Sequence, residues 1–140
     1  MAIMSKKEIL EALNANHTCA FATVEGKKPH VRYLAMVKAD ESGLIFQSWT
    51  LKDIHKQIVE NPEVELSFNI GDGKQIRVSG RVEIVDDIAL KQEVAAQRPF
   101  MKPIIDEKGW DVATIYRVQG KASVWGGSKE NFVPKTWVDV

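Results

Sequence analysis

A cation within a predicted strand is the first residue in the sequence that could do chemistry. Residues 30–38 are predicted to form a strand, and two-residue alternation places Arg32 on the same face as His30 and Leu34. A guanidinium in that position needs an anion nearby. The alternative is a solvated arginine on a half-exposed sheet, and the sequence favours neither reading.

Hydroxyl groups and a lysine cluster where another strand gives way to a helix. Ser48, Thr50 and Lys52 lie at the end of a strand predicted over 44–48 and in the first turn of the following helix. Unpaired N–H groups and the helix dipole favour an anion there, and Arg32 could add a guanidinium fork. We predict a phosphate-binding site formed by these residues. The alternative is that Thr50 only caps the helix and Lys52 is only solvated.

A third candidate is a row of polar side chains along one face of a later strand. The row comprises Gln75, Arg77, Ser79, Arg81 and Glu83. Such a row usually faces water, but the Gln75 amide both donates and accepts, which suits the edge of a planar heterocycle. Periodicity does not decide between these readings.

Other kinds of chemistry have little support. His17, His30 and His55 lack the close spacing of a metal site, and no acyl-transfer triad can be assembled, so we predict no metal and leave catalytic residues unassigned. The single Cys19 lies in an apolar run, which excludes a disulfide framework and favours a reducing cytoplasm.

Length and charge limit the protein further. The 140 residues, 44% of them hydrophobic, suffice for one domain spanning 1–140. The 19 basic and 19 acidic side chains cancel, so no net field attracts nucleic acid or an anionic membrane. No apolar run approaches the ~18 residues of a membrane span, and no export signal is indicated.

The elements that must position these residues follow from caps, turns and alternation. Ser5 and Glu8 have the spacing of a capping box for a first helix, and Asp86-Asp87 can cap another through Gln97. We predict strands over 18–24, 30–38, 44–48, 64–70 and 75–84, the last with Ile76, Val78, Val82 and Ile84 inward. A helix follows Thr50 until Asn61-Pro62, and 99–105 forms a turn of helix or a loop.

A last hairpin is predicted from 111–118 and 121–125 around Gln119-Gly120. Six or so antiparallel strands with few helices then predict a mainly β fold. Closure of the sheet into a barrel, complete or nearly so, removes the exposed edges of such a small sheet.

Five segments in this order resemble a known family. They are residues 18–24 (TCAFATV), 29–32 (PHVR), 48–53 (SWTLKD), 61–62 (NP) and 75–82 (QIRVSGRV). Together they are similar to the pyridoxamine 5'-phosphate oxidase-related flavoproteins, especially the small general-stress-protein branch. The resemblance spans nearly the whole chain and implies a six-stranded antiparallel split β-barrel with short peripheral helices.

The resemblance also implies a homodimer that binds FMN at the subunit interface. By position, Arg32, Ser48, Thr50 and Lys52 would hold the phosphate, and Trp49 would line the flavin. The segment that contains Gln75, Arg77 and Gly80 corresponds to the family's Gln-x-Arg-x-x-Gly strand, whose glutamine approaches the flavin from the partner subunit.

Two departures separate the chain from the oxidase itself. Leu51 stands where that enzyme usually has an arginine, and the tail 131–137 lacks its substrate-binding arginine and histidine. The resemblance therefore implies an FMN-dependent oxidoreductase with a substrate other than vitamin B6, with NAD(P)H or a small molecule as candidate electron donor. The alternatives are a non-catalytic flavin-binding stress or redox-sensing protein, a reductase that binds the deazaflavin F420, and a ligand-free dimeric scaffold.

Overall fold

Antiparallel strands dominate the protein, with short helices around them. The structure, a computed structural model, describes residues 4–127 and 132–140, and in these ranges it has eight strands, four α-helices and two 3-10 helices. The strands are β1 (Thr18–Glu25), β2 (Lys28–Ala35), β3 (Lys38–Asp40), β4 (Gly43–Trp49), β5 (Glu63–Gly71), β6 (Lys74–Val85), β7 (Ala113–Trp125) and β8 (Val138–Asp139). The α-helices are α1 (Lys6–Ala15), α2 (Asp53–Glu60), α3 (Ile88–Gln97) and α4 (Lys102–Lys108), and the 3-10 helices are Pro99–Met101 and Trp110–Val112.

The strands form one sheet in the order β2-β1-β5-β6-β7-β4-β3, with β8 beside β7. Every pairing is antiparallel, and β2 and β3 lie at the two ends of the sheet. The predicted mainly β split-barrel fold is confirmed, but the predicted number of strands, six, is wrong. The segment 30–38 breaks after Ala35, because the amides of Met36 and Val37 donate to His17 and Ile45 instead of continuing one ladder.

The predicted final hairpin is also wrong. Residues 113–125 form the single strand β7, which pairs with β6 without interruption, and Gly120 lies directly opposite Gly80. A Cβ atom on Gly120 would overlap the Ser79 carbonyl oxygen and lie 2.6 Å from the Gly80 Cα. Gly120 therefore marks a close approach of two backbones within the sheet, a use of glycine that sequence alone does not distinguish from a turn.

Two hydrophobic cores lie on opposite faces of the sheet. The first fills the barrel and includes Phe21 and Phe46, whose rings meet edge to face with centroids 5.2 Å apart. The second lies under α3 and α4 and includes Ile45 and Ile115. Because Ile45 and Phe46 face different cores, β4 is buried on both faces.

The caps predicted for two helices are confirmed. The Glu8 amide donates to the Ser5 hydroxyl at 3.2 Å and the Ser5 amide donates to the Glu8 carboxylate at 3.1 Å, while Asp87 accepts from two amides at the start of α3. The inward placement of Ile84 is wrong, since its side chain is 41% exposed. At that end of β6 the other face of the strand is covered, and Val85 on that face packs against the second core.

Among residues 4–127 and 132–140, no helix has the length and hydrophobicity needed to cross a membrane.

Candidate functional site

Arg32 lies on the end strand β2 but faces the inside of the barrel. Its direct partner on β1 is Phe21, which pairs in turn with Leu66 on β5, and both of these apolar residues are buried in the first core. Residues directly opposite each other share one face of a sheet. The sheet therefore directs a cation from its edge toward the barrel interior.

The Arg32 guanidinium is held by neutral acceptors. Its Nη1 donates to the Thr23 hydroxyl at 2.8 Å and to the Phe21 carbonyl at 3.2 Å, and its Nη2 donates to Gln57 Oε1 on α2 at 2.7 Å. Burial lowers the pKa of Arg32, while the fields of Tyr116 and Asp53 oppose this. Among the described residues no carboxylate forms an ion pair with Arg32, so none of them neutralises its charge.

Helix α2 begins without a side-chain cap. Its N-cap residue is Lys52, which makes no capping hydrogen bond, so the alternative that Thr50 caps this helix is wrong. The Thr50 amide instead donates to the Val112 carbonyl at 2.8 Å. No described residue accepts from the amides of Asp53 and Ile54, which therefore point out of the helix start as free donors. Lys52 is exposed beside them and makes no ion pair with any described carboxylate.

Ser48 adds a buried hydroxyl close to the start of α2. Its Oγ has no hydrogen-bond partner in the described structure, although it is near enough to the Tyr116 hydroxyl to lower the pKa of that phenol. Burial outweighs this influence and raises the Tyr116 pKa. The Tyr116 hydroxyl bonds His55 Nδ1 at 2.9 Å, in the first turn of α2. Helix α2 therefore links the two groups of side chains, because His55 bonds Tyr116 near Ser48 and Gln57 bonds Arg32.

Trp49 does not share this environment. Because neighbouring residues on a strand point to opposite faces, Trp49 lies on the other side of β4 from Ser48, where it packs half-buried against the second core. Its assignment to the flavin stays a prediction without support from this geometry.

Gln75 and Arg77 lie on the outer face of the sheet. Arg77 pairs with Ser67, which pairs with Ala20 on β1. The next row across the same strands is buried and consists of Val78, Leu66 and Phe21. Gln75 Oε1 accepts from the Ser67 hydroxyl at 2.7 Å and from Arg77 Nε at 3.3 Å. The Arg77 guanidinium also lies 4.0 Å from the centroid of the Trp125 ring. Within one chain, then, the sheet separates Gln75 and Arg77 from the inward-facing Arg32.

A polar groove of about 960 Å³ runs along that outer face. Its walls include Tyr33 and Ala20, Gln75 and Ser67, and the β5–β6 turn at 71–74. Arg32, Ser48, Thr50 and Lys52 do not line it. The structure therefore presents two separate polar regions, one at the start of α2 and one outside the sheet.

The sequence interpretation missed the residues that hold the first region together. Thr23 extends the buried alternation of Cys19 and Phe21, and Gln57 shares the buried face of α2 with Ile58. In both cases a polar residue occupies a position that the alternation or helical spacing reserves for buried apolar residues, and this was the signal available in the sequence. Only the packing of α2 on β1 shows that the side chains of Thr23 and Gln57 meet. In residues 4–127 and 132–140, no group of three or more His, Cys, Asp and Glu side chains is arranged to hold a metal ion.

The fold and the site define a split-barrel protein in which α2 begins without a side-chain cap, beside the exposed Lys52. The family model described as pyridoxamine 5'-phosphate oxidase matches residues 5–119, and the chain belongs to that family. Of the tail 131–137, one of the two departures from the oxidase noted in the sequence, residue 131 lies outside the described residues.

Individual relatives agree with this assignment. General stress protein 26 of Bacillus subtilis (strain 168) is 29% identical over 96 residues, which are 64% of this chain and 66% of that protein, so the match spans just under two thirds of the relative. A solved NimC/NimA family protein from Clostridium acetobutylicum is 26% identical with a TM-score of 0.76, over 96% of this chain and 91% of that one. A FAD-binding protein from Mesorhizobium loti, 22% identical with a TM-score of 0.65 over 88% of this chain and 93% of its own, shares the fold.

Proposed function

We propose that this protein is an FMN-binding flavoprotein that holds the phosphate of its cofactor at the start of α2. The observation that carries the proposal is the uncapped start of this helix beside Lys52, with the unpartnered Ser48 hydroxyl buried nearby. Free helix amides and a lysine form a site for a phosphate, and Arg32 reaches the same helix through Gln57. Membership of a family named for a flavin oxidase supports a flavin as the owner of that phosphate.

The proposed activity is that of an oxidoreductase with a substrate other than vitamin B6. A bound flavin supplies the hydride or electron transfer, so this chain need only bind it, orient it and exclude side reactions. No described residue stands out as an acid or base for such a step. Flavin storage or redox sensing without turnover is the second candidate, and similarity to a protein named for general stress favours it. Rapid anaerobic bleaching of the flavin by NADH or NADPH supports turnover, whereas persistent colour supports storage.

We also propose that the protein works as a cytoplasmic homodimer with one flavin at each interface site. Arg32 and Gln75 are on opposite faces of the sheet, so contact of both with one ligand is readily explained if Gln75 belongs to a second subunit. Val31 and Tyr33 on the outer face are 69% and 80% exposed, which leaves an apolar surface for that subunit to cover. Cys19 is a buried free thiol, in keeping with a reducing compartment.

The purified protein should carry a yellow flavin spectrum or take one up from added FMN. We expect FMN to bind at least about tenfold more tightly than riboflavin, because one charge-assisted hydrogen bond to a phosphate contributes about 1.5–3 kcal/mol. Isothermal titration with both ligands measures the difference. Equal affinities would contradict the phosphate site, and preferential binding of F420 would support the deazaflavin alternative.

Replacing Lys52 with alanine should weaken FMN binding by about tenfold, because one charge-assisted contact to the phosphate is lost. Riboflavin affinity should not change. Lys56→Ala is the matched control, since Lys56 is an exposed lysine on the same helix. If both variants bind FMN like the unmodified protein, Lys52 is a solvated surface residue.

Dimerisation and FMN binding should be coupled. A ligand that binds only the dimer stabilises it by about 2.7 kcal/mol per site at a hundredfold excess over its dissociation constant. Dilution should therefore dissociate the apoprotein before the FMN-loaded protein, and sedimentation velocity across a dilution series measures this. A monomer that binds FMN tightly would exclude an interface site.

A further inference from the structure

The side chains that hold Arg32 are arranged as a neutral substitute for a carboxylate. Thr23 Oγ1 donates to Gln57 Oε1 at 2.5 Å, so these two oxygens are about as close together as the two oxygens of one carboxyl group. Arg32 donates to one oxygen through Nη1 and to the other through Nη2, at 2.8 and 2.7 Å. We call this arrangement the Thr23–Gln57 pair.

The Thr23–Gln57 pair fixes the guanidinium without cancelling its charge. Thr23 and Gln57 are only 1% and 4% exposed, so packing holds both acceptors in place. A carboxylate at this position would form a bidentate ion pair and neutralise Arg32. Tyr116 and, after it, Asp53 act on Arg32 through their fields, and no described carboxylate forms an ion pair with it.

The contacts also determine which part of the guanidinium remains free. Nη1 uses both of its hydrogens, on Thr23 and Phe21, and Nη2 uses one on Gln57. Of the five N–H donors of an arginine, Nε–H and one Nη2–H have no partner among the described residues. These two donors match the oxygens of a phosphate group.

We infer that the Thr23–Gln57 pair positions Arg32 and keeps it charged for a phosphate-type anion, and so determines whether the protein distinguishes phosphorylated from unphosphorylated ligands. Thr23 and Gln57 are positioning residues, because they act through Arg32 and need not touch the ligand. The inference rests on the proposed function for its choice of ligand, but the neutral pair around Arg32 can be tested separately.

Gln57→Glu tests the inference with little change of shape. The new carboxylate keeps the oxygen that accepts from Thr23 and Arg32, and the amide nitrogen it replaces donates to no described residue. We expect FMN affinity to fall by about tenfold or more, because the carboxylate now pairs with Arg32 and repels the phosphate. Riboflavin affinity should not change, and thermal unfolding should show that the fold is retained.

A second pair of variants separates positioning from packing. Thr23→Val removes the hydroxyl from the pair at similar size and should weaken the binding of FMN more than that of riboflavin. Thr23→Ser keeps the hydroxyl and should restore the preference for FMN. The inference is wrong if Gln57→Glu binds FMN as tightly as the unmodified protein does, or if its affinities for FMN and riboflavin fall equally.

Inorganic phosphate gives a measurement that does not depend on flavin binding. At constant ionic strength, phosphate should raise the melting temperature of the unmodified protein relative to chloride, and Gln57→Glu should abolish that rise. If neither flavin binds, the proposed function fails. Loss of the phosphate effect in Gln57→Glu would still support the role of the Thr23–Gln57 pair. That role is overturned if phosphate does not stabilise the unmodified protein, or if it stabilises both proteins equally.

Discussion

Replacing Arg32 with alanine should reduce FMN affinity by about a hundredfold, the largest loss we expect from a single side chain at this site. The side chain offers two donors that have no partner among the described residues, and it carries a full charge. Two charge-assisted hydrogen bonds at about 1.5 kcal/mol each correspond to a factor of about 100. The loss should exceed that for Lys52→Ala, because Arg32 is held in place whereas Lys52 must be ordered from solvent.

Two comparisons make this prediction specific. Riboflavin binding should change little in Arg32→Ala, because riboflavin has no phosphate. Arg81→Ala should bind FMN normally, since the Arg81 side chain is 67% exposed and pairs with Glu63 at 2.7 Å. Isothermal titration of both flavins against the three proteins decides the matter, and an equal loss for riboflavin would assign Arg32 to the structure of the barrel.

Replacing Gly120 with alanine should destabilise the fold by about 4 kcal/mol or more, the largest effect on stability that we expect. The new methyl group would collide with the backbone of Ser79 and Gly80, and the uninterrupted β6–β7 ladder prevents either strand from moving aside locally. Chemical denaturation measures the loss, and a variant that does not fold agrees with it.

Gly127→Ala is the matched control for this prediction. A Cβ atom there meets no atom of the described residues within 4 Å, and the backbone does not have a positive φ, so stability should change by less than about 0.5 kcal/mol. Should Gly120→Ala be as stable as this control, the close approach of β6 and β7 at Gly120 would be contradicted.

The local elements were predictable because their signals are short-range. The capping box at Ser5, the cap at Asp87 and the alternation that buries Ile76 and Val78 depend on residues only a few positions apart. The strand break after Ala35 and the continuous strand through Gly120 were not predictable in this way. Each depends on a distant strand, one through backbone hydrogen bonds and the other through close contact.

The sequence by itself also determined the charge balance, the resemblance to the family, and the candidates Arg32, Ser48, Thr50 and Lys52. Only the tertiary structure decided how these candidates are arranged. It placed Arg32 on the inner face and Gln75 on the outer face, and it brought Gln57 from α2 against Thr23 on β1. The physical reason is that alternation assigns residues to one of two faces, whereas the packing of the helix on the curved sheet determines which faces meet.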